Sequence, residues 1–190
     1  PGDGNTVYAV SNNKFYKTVD GGDTFPEIID PILPDASGRR VLGVSEANPD
    51  VVYILTAERF NYSFQGLYRS DDSGETFYQT ENTTNIMESS QAWFDLALEV
   101  SPTNPDEVYM GCLNIWKSAD GGNSFNRLNS WSSNTPSYSH ADIHTLKFFN
   151  NALYAGTDGG IYVSQDGGQT FQDKSSGLTV GQIYRLSVSN

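Results

Sequence analysis

"SQDGGQTF", Ser164 to Phe171, follows the short apolar stretch "IYV" and reads in three ways when taken alone. An Asp followed by two glycines could open a phosphate-cradling loop, a calcium loop or a tight turn. What decides between them is that the stretch is not alone. "TVDGGDTF" (Thr18 to Phe25), "SDDSGETF" (Ser70 to Phe77) and "SADGGNSF" (Ser118 to Phe125) align with it without gaps. The shared pattern is Ser/Thr, any residue, Asp, Gly/Ser, Gly, any residue, Thr/Ser, Phe. It recurs about every 50 residues, the period of a supersecondary unit built from several strands.

Read four times over, the box is a turn. A phosphate loop needs a strand, a loop and a helix with a lysine, and the boxes have neither the helix nor the lysine. A calcium loop needs oxygens at alternating positions and a distal Glu. Only the segment around Asp71 comes near that, and the matching boxes lack its extra carboxylates. The turn reading gives each residue a task. Asp20, Asp72, Asp120 and Asp166 are expected to accept hydrogen bonds from backbone N–H groups one or two residues on, with the Ser/Thr hydroxyl adding another. Gly22, Gly74, Gly122 and Gly168 supply a positive φ that other residues reach at a cost. Phe25, Phe77, Phe125 and Phe171 return to the core.

The flanks repeat as well. "FYKT", "LYRS", "IWKS" and "IYVS" precede the boxes, and "TVYAV", "VVYIL", "EVYMG" and "ALYAG" lie upstream of those. Further upstream, "VLGVSEANPD" matches "LALEVSPTNPD", with "HTLKFFNN" and "YRLSVSN" in the same slot. Each unit is four short strands, A to D, alternating apolar and polar residues, and no segment has a sustained helical period. Four-stranded units in series are the signature of an all-β chain folded as a β-propeller of antiparallel sheets. The units are strands B to D at about 7–30, then 39–82, 94–130 and 142–175, with a further strand A at about 182–189. That last strand either completes the first blade or opens the next. We expect a segment of a larger propeller, because four blades is the lower limit of the architecture.

The four boxes resemble the Asp-box, or bacterial neuraminidase repeat, of sialidases, sortilin-type receptors, xyloglucan-degrading glycosidases, photosystem assembly factors and secreted bacterial proteins. The resemblance runs from about Val7 to Val188. It implies the propeller scaffold and a secreted or cell-surface protein. It does not imply a reaction, since the family shares a scaffold and not a chemistry.

Composition narrows the partners. Asp and Glu number 23 against 11 Lys and Arg, a formal net charge of −12. Nucleic acid and anionic membrane are disfavoured, since their phosphates would be repelled. No apolar run is long enough to span a membrane. The single cysteine, Cys112, rules out an intrachain disulfide. Glycan, protein or peptide, and further blades from the same or another chain, remain as partners, with no cofactor.

Strand order then places the site. The boxes are C–D turns on one face. The D–A and B–C loops build the other face and vary in length and composition, which is where binding usually lives. Aligned at the entrance of strand A, Arg40, Leu96, His144 and Tyr184 share a column, and Gly38, Phe94, Asp142 and Gln182 share another. Both columns are expected to ring the channel mouth, with Arg185 beside them. In "HADIH", His140, Asp142 and His144 alternate, so a regular strand would carry all three on one side. Two imidazoles and a carboxylate can bind zinc or iron. Same-face neighbours lie about 6.6–7 Å apart, however, and a single strand seldom converges its ligands, so no metal is assigned. The alternative is that the histidines tie down the D–A loop by hydrogen bonds.

Catalysis has weaker support. The resemblance to sialidases would require an arginine triad and a Tyr/Glu pair, and no such pair can be assigned. Other glycosidases need two carboxylates about 5–10 Å apart, for which Asp95, Asp142 and Asp158 are candidates. Loop aromatics Phe60, Tyr62, Phe64, Trp93, Trp131 and Tyr138 could instead stack on sugars or grip a peptide, with about half of them packing between blades. The expected role is a non-catalytic glycan- or protein-binding module. A glycoside hydrolase, sialidase-like or xyloglucanase-like, is the alternative.

Overall fold

The computed structural model describes residues 3–178. It is an all-β β-propeller arrangement of fifteen strands in four antiparallel sheets, here called blades 1 to 4. Blade 1 holds β1 (Val7–Val10), β2 (Phe15–Thr18) and β3 (Glu27–Ile28). Blade 2 holds β4 (Arg39–Val44), β5 (Val52–Ala57), β6 (Phe64–Ser70) and β7 (Tyr78–Gln79). Blade 3 holds β8 (Ala97–Val100), β9 (Val108–Gly111), β10 (Ile115–Ser118) and β11 (Asn126–Arg127). Blade 4 holds β12 (Ile143–Phe149), β13 (Ala152–Thr157), β14 (Gly160–Ser164) and β15 (Gln172–Asp173). Each strand pairs only with its sequence neighbours, so every blade is a simple meander. The strand A expected at 182–189 lies outside the described residues.

The cores lie between blades, because each sheet is apolar on both faces. Phe15 of blade 1 packs with Val52, Ile54, Tyr68 and Phe77 of blade 2. Tyr53, Leu55 and Leu67 of blade 2 pack with Leu98, Val108 and Met110 of blade 3. Tyr109 and Ile115 of blade 3 pack with Leu146, Leu153 and Phe171 of blade 4. Period-2 alternation explains this: on the second strand of each blade, Val52 looks back to blade 1 and Tyr53 looks forward to blade 3.

The repeated turns form one hydrogen-bond set, built differently from the expected one. In the fourth, Ser164 Oγ donates to Asp166 Oδ1 (2.8 Å) and accepts from Asp166 N (3.4 Å) and Gly168 N (2.7 Å). Asp166 accepts from Thr170 N (2.9 Å) and Thr170 Oγ1 (2.6 Å). The carboxylate therefore reaches four residues on, not one or two, while the hydroxyl takes the nearer amides. Asp20, Asp72 and Asp120 make the same contacts. These bonds favour the charged form. The Thr76 hydroxyl holds the Asp72 carboxyl at about 2, and the Thr170 hydroxyl does the same for Asp166.

The glycines do more than turn. The glycine shared by the four boxes has φ of 102°, 79°, 92° and 91°, and the residue before it is also left-handed, even where it is Ser73 (φ 59°). A Cβ on Gly74 would meet Phe15 Cζ of the preceding blade at 2.9 Å, and one on Gly122 or Gly168 would run into Leu67 or Leu128. The box thus clips each blade to the one before it. Phe77, Phe125 and Phe171 join these interfaces, but Phe25 does not return to a core and is 41% exposed. The reason is that among the described residues no blade precedes blade 1.

Candidate functional site

The long loop from β7 to β8 carries a tight turn, in which Phe94 N and Asp95 N both donate to Gln91 O (2.7 and 3.2 Å). That turn lifts Trp93 outward, where it is 61% exposed. Its ring leans on Phe94 (centroids 5.5 Å apart), and Phe94 meets the His144 ring edge-on at 4.7 Å. His144 Nε2 lies 2.6 Å from Asp158 Oδ1, which sits in the turn between β13 and β14. Trp93, Phe94, His144 and Asp158 therefore form one row that crosses from blade 3 to blade 4. From blade 2, Arg39 steadies the turn by donating to Ala92 O (3.2 Å).

A second layer lies beneath. The Gln91 side-chain amide donates to Asp95 Oδ2 (3.0 Å) and to Asp142 Oδ1. The Cys112 thiol donates to Asp95 Oδ1 (3.6 Å). Asp95 is wholly buried, and burial pushes its carboxyl above the usual range. Burial, with Asp95 nearby, pushes the Cys112 thiol up to about 12, so it stays protonated and unreactive at neutral pH.

"HADIH" does not put its three polar residues on one side. The strand begins only at Ile143, Asp142 takes a left-handed φ of 64°, and the pairing is irregular between Ile143 and Thr145. The three side chains part company. His140 Nδ1 lies 3.1 Å from Ala141 O with its ring against Gly159, Asp142 turns to Gln91, and His144 turns to Asp158. Among the described residues no group of three His, Cys, Asp or Glu is placed to hold a metal.

The column at the entrance of strand A also differs from expectation. Arg40 is buried, with Nε donating to Ser37 Oγ (3.3 Å) and Nη2 to Pro34 O. It pins the loop that leaves blade 1. Leu96 is in the core between blades 2 and 3, and His144 meets Phe94. Each of these three described members thus faces the preceding blade. Tyr184 and Arg185 lie outside the described residues.

Of the loop aromatics, Phe60, Trp93 and Trp131 are exposed, while Tyr62, Phe64 and Tyr138 pack against the inter-blade cores. Sequence reasoning gave no role to Gln91 or to Glu88. Glu88 accepts from Asn114 Nδ2 (2.6 Å), Trp116 Nε1 (3.2 Å) and Arg127 Nη1 (2.9 Å), and so fastens the same loop to blade 3. Neither residue belongs to the repeat, so no pattern marks it. At the other end of the inner strands, a cavity of about 410 Å3 is lined by Glu46, Glu99, Lys147 and Phe149 among others. There Glu99 is already bound by Lys147 Nζ (3.1 Å) and Phe148 N (3.0 Å).

No protein-family model matches the chain, and no curated protein matches it. Solved structures do. The chain is similar to a GH74 enzyme of Niastella koreensis (TM-score 0.61, 21% identity), covering 88% of this chain and 27% of that one. An ancestral GH74 enzyme gives TM-score 0.61 and 18% identity over 90% of this chain and 22% of that one. YCF48 bound to D1 peptide gives TM-score 0.51 and 15% identity over 90% of this chain and 65% of that one. The chain therefore spans about a quarter of the length of the GH74 enzymes, and the likeness establishes the propeller fold.

Proposed function

We propose that the chain is a non-catalytic binding module of a secreted or cell-surface protein, an arc of a larger Asp-box propeller, and that it holds a glycan at Trp93. The observation that carries the reading is the row of Trp93, Phe94, His144 and Asp158. A pyranose ring has an apolar face that stacks on an exposed indole and hydroxyls that need donors and acceptors at its edge. Phe94 backs the indole, and the His144–Asp158 pair supplies the polar edge. The neighbouring GH74 enzymes support a carbohydrate and the YCF48 complex supports a peptide; a flat indole beside one polar pair suits the sugar better.

The hydrolase reading draws on Asp95, Asp142 and Asp158. Asp95 is sealed, Asp142 is engaged by Gln91 and Asp158 by His144, an arrangement in which these carboxylates tie loops together. Binding is therefore preferred. A glycan array run beside a reducing-sugar assay tests it. Binding without turnover, weakened about tenfold or more by Trp93→Ala, is expected. Turnover lost in Asp142→Ala would establish the hydrolase instead, and absence of both activities would remove both readings.

A further inference from the structure

Blade 3 carries an exposed tryptophan at both ends of its loop edge. Ala97, Gly111 and Ile115 stand in one register row across its first three strands, and Leu128 N donates to Ile115 O (2.9 Å), which carries the row to the fourth. The row is three strand spacings wide, about 14 Å. Trp93 lies just before one end of it and Trp131 just after the other. Trp93 is 61% exposed and Trp131 48%. The third tryptophan, Trp116, is half-buried, with Nε1 donating to Glu88 Oε2 (3.2 Å). The loop with Trp93 joins blade 2 to blade 3, and the loop with Trp131 joins blade 3 to blade 4.

Asn114 fixes the two loops at that spacing. It sits in the turn between β9 and β10 and is buried. Its Nδ2 donates to Glu88 Oε2 (2.6 Å), on the loop that carries Trp93, and its Oδ1 accepts from Trp131 N (3.1 Å). One buried amide therefore fastens both indole-bearing loops to the same turn, so their spacing is set before a ligand arrives. Hydrogen-bonding groups accompany the indoles. Arg127 Nη1 donates to Glu88, and among the described residues its other N–H groups have no protein partner. The Ser130 and Ser132 hydroxyls, 3.2 Å apart, flank Trp131.

Resting on the reading of Trp93 as a sugar site, we infer that Trp131 is a second stacking position and that the ligand is a linear, extended oligosaccharide laid along the loop edge of blade 3. A single sugar covers one indole and leaves the other bare. A chain that spans about 14 Å covers both and brings the hydroxyls of its middle residues to Arg127 and the serines. A compact branched glycan engages one indole at a time.

Titration calorimetry of the 190-residue chain with malto-, cello- and manno-oligosaccharide ladders, from mono- to hexasaccharide, tests this. In at least one ladder the affinity is expected to rise about tenfold or more once the chain is long enough to reach both indoles. Trp131→Ala should return the long members to the affinity of the short ones and leave the short ones unchanged. Trp131→Tyr, which keeps a stacking ring, should restore most of the gain. Both variants are expected to be folded by circular dichroism, because the side chain is exposed and the bond to Asn114 is made by the backbone. Affinity that does not step up with length, or a step that Trp131→Ala leaves intact, would overturn the second position and leave Trp93 in place. So would a wild type that binds short or branched glycans on an array but no long ladder member. A wild type that binds no glycan at all would remove this inference together with the reading on which it rests.

Discussion

Four aspartates at one end of the sheets, Asp20, Asp72, Asp120 and Asp166, hold the same hydrogen bonds four times over. At the other end Asp95, Asp142 and Asp158 bond to Cys112 and Gln91, to Gln91, and to His144. The first end is uniform because each box closes the same two-strand turn, and those of blades 2 to 4 also clip the blade to its predecessor. The second end is free of that demand, since a loop there need only span the gap between one blade's last strand and the next blade's first. Uniformity marks scaffold, and divergence on a rigid frame marks where a ligand site can be fitted without disturbing the fold.

If this contrast holds, substitutions at the two ends have opposite consequences. The largest effect is expected for Gly122→Ala, where a left-handed φ of 92° and the Leu67 side chain both oppose a methyl group. It should cost about 3 kcal/mol or more, read from urea unfolding. Ser118→Ala comes next. It removes the acceptor for Gly122 N (2.8 Å) and the donor to Asp120 Oδ1 (2.7 Å) at a buried position, and should cost about 2 kcal/mol in the same assay. A wild-type response from either would mean that the boxes do not clip the blades together.

The boxes also predict how the protein responds to acid. Asp72 and Asp166 have carboxyls at about 2 in the folded state, below the ordinary 3.8. Their stabilisation is complete above about pH 3.8 and is lost as pH falls through about 2. Asp166→Asn should flatten the stability curve in that window and leave its neutral limb parallel to wild type. The smallest effect is expected at Asp95, where the sign reverses. Burial raises its carboxyl, so its contribution is full at low pH and is lost as pH rises through the raised value. Asp95→Asn keeps an acceptor for Gln91 and should raise the midpoint of thermal unfolding at pH 7 by about 1–3 °C. A fall would show that the charge itself is needed there.

How far the sequence reveals this molecule differs between the two ends for the same physical reason. Strands, meanders and clasps were legible because a repeat turns one weak signal into four, and the period-2 pattern names the buried faces. What alternation did not reveal is which neighbour a face meets. Arg40 therefore read as a channel residue when it is tucked against the loop leaving blade 1. "HADIH" misled because one backbone torsion, at Asp142, ends the alternation on which the reading depended. Trp93 could be suspected as an aromatic in a long loop. Its backing by Phe94 and the pairing of His144 with Asp158 join residues from separate blades, which no local pattern encodes.

The most direct test of the division of labour measures binding and stability on the same variants. Trp93→Ala should abolish capture of whichever oligosaccharide the wild type retains, with unfolding free energy within about 0.5 kcal/mol of wild type. Asp166→Asn, at the opposite end, should bind that oligosaccharide as wild type does while folded. A Trp93→Ala protein that binds undiminished, or an Asp166→Asn protein that is folded yet no longer binds, would contradict the assignment of structure to one face and recognition to the other.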